Sequence, residues 1–197
     1  MAGAAVGVVE HGNSAVLVTV SPGGALLDRR RIDLTQGLPT HPYHHEGSWA
    51  IGRYADSPWA KAISLPDAIA LVERVHEAAA AGARQALDDL AAAVPVEAVA
   101  IRICPDLPPT IEGRIRNNQA ANVADTVMYR RALAEAAEAR GWVVHWYDRD
   151  KVFGEATRAL GQDIQAFLAA MGKAAGPPWQ AAYKLAAAAA IAAMGKK

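Results

Sequence analysis

The chain has 197 residues, a hydrophobic fraction of 52%, and equal numbers of basic and acidic side chains, 20 of each. This length fits one domain with an appended helical tail, and the neutral balance gives no global electrostatic attraction to nucleic acid. The single cysteine, Cys104, excludes an internal disulfide and a cysteine-rich zinc site. Because no apolar run approaches the roughly 20 residues of a membrane span and no secretory signal is recognised, we expect a soluble, cytoplasmic protein.

Three short strands joined by tight turns are predicted at the start of the chain, over residues 4–10, 15–20 and 25–34. Residues 5–9 form a continuous apolar run, as expected of a strand covered on both faces. Gly12 and Asn13 favour a turn because both accept a positive φ at little cost. Glu10 places a carboxylate where the first strand ends.

Residues 35–63 lack hydrophobic periodicity and are rich in Pro, Gly, His and aromatic residues. A connection of this length in a compact domain is usually functional or poorly ordered. The aromatic side chains of Trp49, Tyr54 and Trp59 favour burial. We therefore expect residues 41–59 to be ordered and packed on the rest of the domain.

Two helices and two further strands follow, predicted over residues 64–94, 96–103, 120–140 and 142–147. Ser64 and Pro66 are typical of a helix start, and Gly141 of a helix end. Because a strand reached through a helix usually pairs in parallel, we expect the fourth and fifth strands to lie in a parallel part of a mixed sheet.

The remainder of the chain is predicted to be helical, with one helix over residues 155–171, a break over 172–178 and a final helix over 179–194. The run of alanines at 186–190 is a strong helix former and permits close packing. We therefore divide the chain into a core, residues 1–150, with 35–63 inserted in it, and C-terminal helices, residues 151–197, that pack on the core.

The order of these elements resembles that of the ribonuclease H-like superfamily, and residues 7–12 (GVVEHG) are similar to the first strand of its Holliday-junction resolvase group. The resemblance implies an α/β fold with a five-stranded mixed sheet of strand order 3-2-1-4-5, flanked by helices and extended by C-terminal helices. Only the second strand should run antiparallel to the rest. It also implies hydrolysis of phosphodiesters by two divalent metal ions. Carboxylates on the first strand, near the end of the fourth strand and on the last helix would hold them, and Glu10 would be the first.

Two basic residues stand where the resemblance implies acids, Arg102 at the end of the fourth strand and Lys184 on the last helix. A positive charge repels the metal ion that such a position should hold. We therefore expect Glu10 to pair with Arg102 or Lys184, and the chain to be a non-catalytic or divergent binding module derived from a nucleic-acid-processing enzyme. The alternative is a metal-dependent nuclease with a rebuilt site, in which Glu10 and Asp148 are catalytic and Mg²⁺ or Mn²⁺ is the cofactor.

Two further groups of side chains are candidates for binding. Imidazoles with a nearby carboxylate are ligands suited to zinc, manganese or iron, and the inserted loop offers such a set in His41, His44, His45 and Glu46. Alternatively, this loop covers the site near Glu10. Arg114 and Arg116 are candidates for contacting phosphate. The partners predicted on these grounds are nucleic acid or a protein, with a homodimer as a further option and no membrane.

Overall fold

The computed structural model describes residues 3–48, 51 and 63–195 of the chain. Its strands are β1 (Ala4–His11), β2 (Ser14–Val20), β3 (Leu26–Asp33), β4 (Val96–Arg102) and β5 (Val143–Tyr147). Its helices are α1 (Leu65–Ala93), α2 (Ile111–Arg116), α3 (Asn118–Glu138), α4 (Val152–Leu160), α5 (Ile164–Ala175) and α6 (Ala181–Met194). A π-helical segment, Pro42–Ser48, follows β3.

The five strands form one mixed sheet in the order β3-β2-β1-β4-β5, which confirms the predicted order. β2 pairs antiparallel with β1 and β3, and β4 pairs parallel with β1 and β5. α1 precedes β4 and α3 connects β4 to β5, as parallel neighbours require. The carboxyl ends of β1, β4 and β5 therefore lie at the same edge of the sheet, where ligands of open α/β sheets usually bind.

Alternate residues of the central strands contribute to two separate cores, one on each face of the sheet. Val8 and Ile101 belong to the core that α1 and α3 complete. Val9 and Ala100 belong to the core on the opposite face, which α4, α5 and α6 complete. The position of a residue along its strand thus decides which helices its side chain meets.

α1 begins and ends as its sequence predicts. The Ser64 side chain accepts a hydrogen bond from the backbone N–H of Asp67, and a proline stands in the first turn. The buried residues of the helix recur at three- and four-residue steps, and they are Ala68, Val72, Val75, Ala79, Ala83, Leu87 and Leu90. This apolar stripe holds α1 against the sheet.

α6 lies against β1 with the two backbones in close approach. A Cβ atom at Gly7 would overlap the carbonyl oxygen of Ala186, and the alanines 186–190 are fully buried. Small residues on both elements therefore permit the contact. Neither α6 nor any other helix within residues 3–48, 51 and 63–195 is long and apolar enough to cross a bilayer.

The predicted single helix over residues 155–171 is wrong, because the chain forms α4 and α5 with a break between them. Gly161 ends α4 with a left-handed φ of 71°, and Asp163 caps α5 by accepting hydrogen bonds from two backbone N–H groups. Residues from both helices join the core of α6. The domain boundary at residue 150 stays a prediction.

The prediction that residues 41–59 are ordered and packed falls mostly outside the described residues. Its described part includes the π-helical segment, in which Tyr43 is 2% exposed. Tyr43 belongs to the core formed with α1 and α3. This part of the segment therefore packs on the domain as expected.

Candidate functional site

Glu10 lies near the end of β1, and its carboxylate is buried against α3. Its Oε1 accepts a hydrogen bond from Nη2 of Arg130 at 2.5 Å, and the two side chains are only 8% and 6% exposed. Nη1 of Arg130 also donates to the backbone oxygen of Ile103 at 2.8 Å. Charge-assisted hydrogen bonds on two sides fix the guanidinium group in one position.

The prediction that Glu10 pairs with Arg102 or Lys184 is wrong, because these side chains belong to different faces of the sheet. The parallel register of β1 and β4, extended by two residues, sets Val9 beside Arg102. Since strand residues alternate between faces, Glu10 points to the opposite side. Lys184 is exposed on α6, which covers the face of Val9. Arg130, which the sequence did not assign to Glu10, is its partner instead.

Two adjoining cavities lie beside β1 and α6, the larger of about 530 Å³ towards β2 and β3, and the smaller of about 300 Å³ towards β4 and β5. Both are bordered by Val9, Glu10 and Ala182, and the smaller also by Arg102 and Arg149. Among the residues that the structure describes, Glu10 is the only carboxylate on either cavity, and its charge is already paired. The electrostatics of this region therefore favour an anion over a metal cation.

Asp148 does not join Glu10 in these cavities. It borders a third cavity, of about 440 Å³, between α3 and the loops after β4 and β5. The pKa of Asp148 is lowered, mainly because its carboxylate accepts a hydrogen bond from the backbone N–H of Asp150. Nζ of Lys151 lies 3.3 Å from Oδ2 of Asp148. Asp148 is thus a partly exposed, ionised carboxylate with partners of its own, and its catalytic role stays a prediction.

The π-helical segment is anchored on α3 by a buried carboxylate, that of Asp125. Its two oxygens accept hydrogen bonds from the backbone N–H groups of Tyr43, at 3.0 Å, and of His44, at 3.3 Å. Nδ1 of His41 lies 3.7 Å from the same carboxylate. Oη of Tyr129, one turn further along α3, donates to the backbone oxygen of Thr40 at 3.0 Å. Two contacts thus join the segment itself to α3, and two more hold the residues just before it, Thr40 and His41.

The predicted metal ligands do not form a ligand set in the structure. Within the described ranges, no group of three or more His, Cys, Asp or Glu side chains is placed to hold a metal ion. The histidine rings lie beside one another, with centroids 5.5 Å apart for His41 and His45, and 4.9 Å apart for His44 and His45. A metal ion held by these side chains stays a prediction.

Burial changes the acidity of the groups beneath the π-helical segment. It raises the pKa of Asp125 from 3.8 to about 7, although the N–H groups of Tyr43 and His44 oppose the change. Burial also lowers the pKa values of His41 and His44, assisted by the neighbouring histidines. The segment therefore rests on a carboxyl group that gains a charge as the pH rises towards neutrality.

Replacing Asp125 by asparagine should remove a pH-dependent part of the stability. Between pH 3.8 and about 7, the folded protein holds a proton on Asp125 that the unfolded chain releases. The stability of the parent relative to Asp125→Asn should therefore be highest below about pH 4 and fall by on the order of 2–4 kcal/mol as the pH rises to about 7. Urea denaturation of both proteins across this range measures the change.

The same measurement on Asp106→Asn, which alters an exposed carboxylate, is the control. Parallel stability curves for the parent and Asp125→Asn would contradict the elevated pKa.

Arg114 and Arg116, predicted to contact phosphate, both have partners within the protein. Arg114 donates from Nε to the backbone oxygen of Pro108 at 2.7 Å and from Nη1 to Oη of Tyr43 at 3.2 Å. Arg116 forms an exposed ion pair with Glu112 at 2.7 Å, one turn away on α2. Arg114 thus supports the π-helical segment, and contact of either residue with phosphate stays a prediction.

One signal in the sequence could have identified Arg130. It occupies a buried stripe of α3 that also includes Val127, Ala134 and Ala137. Arginine is almost never fully buried unless it is paired. An arginine at such a position therefore predicts a buried carboxylate partner on a neighbouring element.

The sheet order, the helical crossovers and the terminal helix across β1 together define the ribonuclease H-like fold, which confirms the fold expected from the sequence. A solved structure of T. thermophilus RuvC in complex with a Holliday junction substrate is similar, with 12% sequence identity, 97% of this chain and 92% of that chain covered, and a TM-score of 0.57. A second Thermus thermophilus RuvC structure is 13% identical, with 96% and 92% covered and a TM-score of 0.48. No protein-family model and no curated protein matches the chain.

Proposed function

We propose that the chain is a binding module on a ribonuclease H-like fold, without metal-dependent phosphodiester hydrolysis. The observation that carries this proposal is the composition of the region between β1, β4 and α6. Val9 and Arg102 face it, and Glu10 is paired with Arg130 on α3. Where the resemblance to the ribonuclease H-like superfamily implies carboxylates, this region has an apolar residue and an arginine.

The residues present do not fit a pair of divalent metal ions. Mg²⁺ and Mn²⁺ are bound by oxygen ligands, and carboxylates offset much of their charge. Arg102 instead adds a positive charge, and Arg149 adds a second on the same cavity. Like charges in a partly desolvated crevice repel strongly. No hydrolytic step is therefore assigned to this region.

Nucleic acid is the partner that we propose. The T. thermophilus RuvC structure contains a Holliday junction substrate, and the cavities between β1, β4 and α6 carry arginines of the kind that contact phosphate groups. Arg31 borders the larger cavity, while Arg102 and Arg149 border the smaller. These side chains supply a local positive surface on a chain that is neutral overall.

Binding without cleavage is the expected result with a four-way DNA junction and with single-stranded DNA. The affinity should fall as the salt concentration rises, because phosphate contacts release counterions. Arg102→Ala should weaken binding by several-fold, whereas Arg84→Ala, an exposed arginine of α1, should not. A gel-shift titration at several salt concentrations, with and without Mn²⁺, measures both binding and cleavage.

Melting temperatures with and without Mn²⁺ test the absence of the metal site directly. Glu10→Gln should lower stability by about 1–3 kcal/mol, since Arg130 loses its charged partner, and Mn²⁺ should change neither melting temperature. A rise with Mn²⁺ that disappears in Glu10→Gln, together with Mn²⁺-dependent cleavage, would establish the alternative, a nuclease with a rebuilt site.

A further inference from the structure

The third cavity lies at the carboxyl ends of β4 and β5, on the α3 side of Arg102. Its volume of about 440 Å³ falls within the range of about 300–1,000 Å³ that is usual for small-molecule sites. The loop after β4, the N-terminal half of α3 and the loop after β5 enclose it. The residues that border the cavity include Arg102, Ile103, Val123, Arg130 and Arg149.

Two guanidinium groups, those of Arg102 and Arg149, offer hydrogen-bond donors to this cavity. Neither residue forms an ion pair or side-chain hydrogen bond with any residue in the described part of the chain. Arg130 also borders the cavity, but it is 5% exposed, and its two terminal nitrogens are already bonded to Ile103 and Glu10.

The mouth of the cavity is apolar. Ile103 is 46% exposed and Val123 is 36% exposed. Of the four large apolar residues that are exposed in the described ranges, these two border the same cavity. Exposed apolar groups gathered beside unpaired cations are typical of a ligand with both an apolar part and a charged part.

We propose that this cavity binds a phosphate monoester carried on an apolar or aromatic group, as in a nucleoside monophosphate. The phosphate oxygens accept from Arg102 and Arg149, and the attached group packs between Ile103 and Val123. A phosphate monoester carries a charge of about −1.5 to −2 at neutral pH, which matches two unpaired arginines better than a single carboxylate would. Planar guanidinium forks also suit its oxygens.

The acidic groups at the cavity do not cancel this charge. Glu10 is paired with Arg130, and Asp148 lies beside Lys151. Arg149 and Asp150 are both exposed at the rim, where water screens both charges. One unpaired carboxylate thus opposes two unpaired arginines. The inference shares Arg102 and Arg149 with the proposed function, but it does not rest on that function, because a free nucleotide can occupy this cavity without a nucleic acid bound between β1, β4 and α6.

Isothermal titration of the full chain with AMP tests the site, with inorganic phosphate and adenosine as matched probes that each lack one part of the ligand. AMP should bind with a dissociation constant below about 1 mM, and more tightly than either probe. Arg149→Ala should weaken AMP binding at least about tenfold, by loss of charge-assisted hydrogen bonds. Ile103→Thr should weaken it about threefold, and Arg84→Ala should leave it unchanged.

A free nucleotide and the 5′ end of a nucleic acid carry the same phosphate monoester. Short DNA oligonucleotides with and without a 5′-phosphate separate the two sources, since binding that requires the 5′-phosphate and exceeds that of AMP identifies a strand terminus. Failure of both AMP and the phosphorylated oligonucleotide to bind would overturn the proposal. Inorganic phosphate binding as tightly as AMP, or equal losses in Arg149→Ala and Arg84→Ala, would overturn it too.

Discussion

Replacing Arg130 by methionine is expected to lower the free energy of unfolding by about 3–5 kcal/mol, the range found when one partner of a buried ion pair is removed. The carboxylate of Glu10 is only 8% exposed, so water cannot replace the lost guanidinium group. The backbone oxygen of Ile103 also loses its donor. Urea or guanidinium denaturation at neutral pH measures the change.

An exposed ion pair and a double variant provide the controls. Arg116→Ala breaks the pair with Glu112, whose side chains are 57% and 49% exposed, and should change stability by less than about 0.5 kcal/mol. Combining Arg130→Met with Glu10→Leu should recover much of the lost stability, because no unpaired charge stays buried. A single variant as stable as Arg116→Ala would show that the pair is solvated.

Replacing Gly7 by alanine should separate α6 from the sheet and destabilise the protein by about 3 kcal/mol or more, at the upper end of the usual range for overpacking. The new Cβ atom would overlap the carbonyl oxygen of Ala186. Backbone atoms cannot turn aside as a flexible side chain can. The whole helix must therefore shift, and its buried alanines lose contact with β1.

Gly23→Ala is the matched control for this change. It lies in an exposed turn, where the nearest atom to an added Cβ is Oγ of Ser21 at 4.0 Å. This variant should be within about 0.5 kcal/mol of the parent. Equal stability of the two alanine variants in denaturant titrations would contradict the close approach of α6 to β1.

Local patterns in the sequence predicted the strands and helices, and the resemblance of their sequence of elements to a known fold predicted the order of the sheet. The apolar run in β1 and the Ser64 cap of α1 depend on residues that are neighbours in the chain, so both can be recognised from the sequence alone. The sequence also contains a signal for the break between α4 and α5, because Gly161 is a helix C-cap residue and Asp163 is a helix N-cap residue.

The partners of the site residues could not be predicted in the same way. Whether Glu10 meets α3 or α6 depends on the register between β1 and β4, and a shift of one residue exchanges the two faces. Nothing near Glu10 in the sequence sets that register. The contact between Tyr43 and Asp125 likewise joins residues 82 positions apart, which no local pattern specifies.

The placement of Glu10 and Arg102 on opposite faces has a consequence for design. Val9, not Glu10, occupies the position of β1 that faces Arg102 and α6. Introducing a metal site between β1, β4 and α6 would therefore require acids at Val9 and Arg102, whereas the Glu10–Arg130 pair on the other face could be left in place.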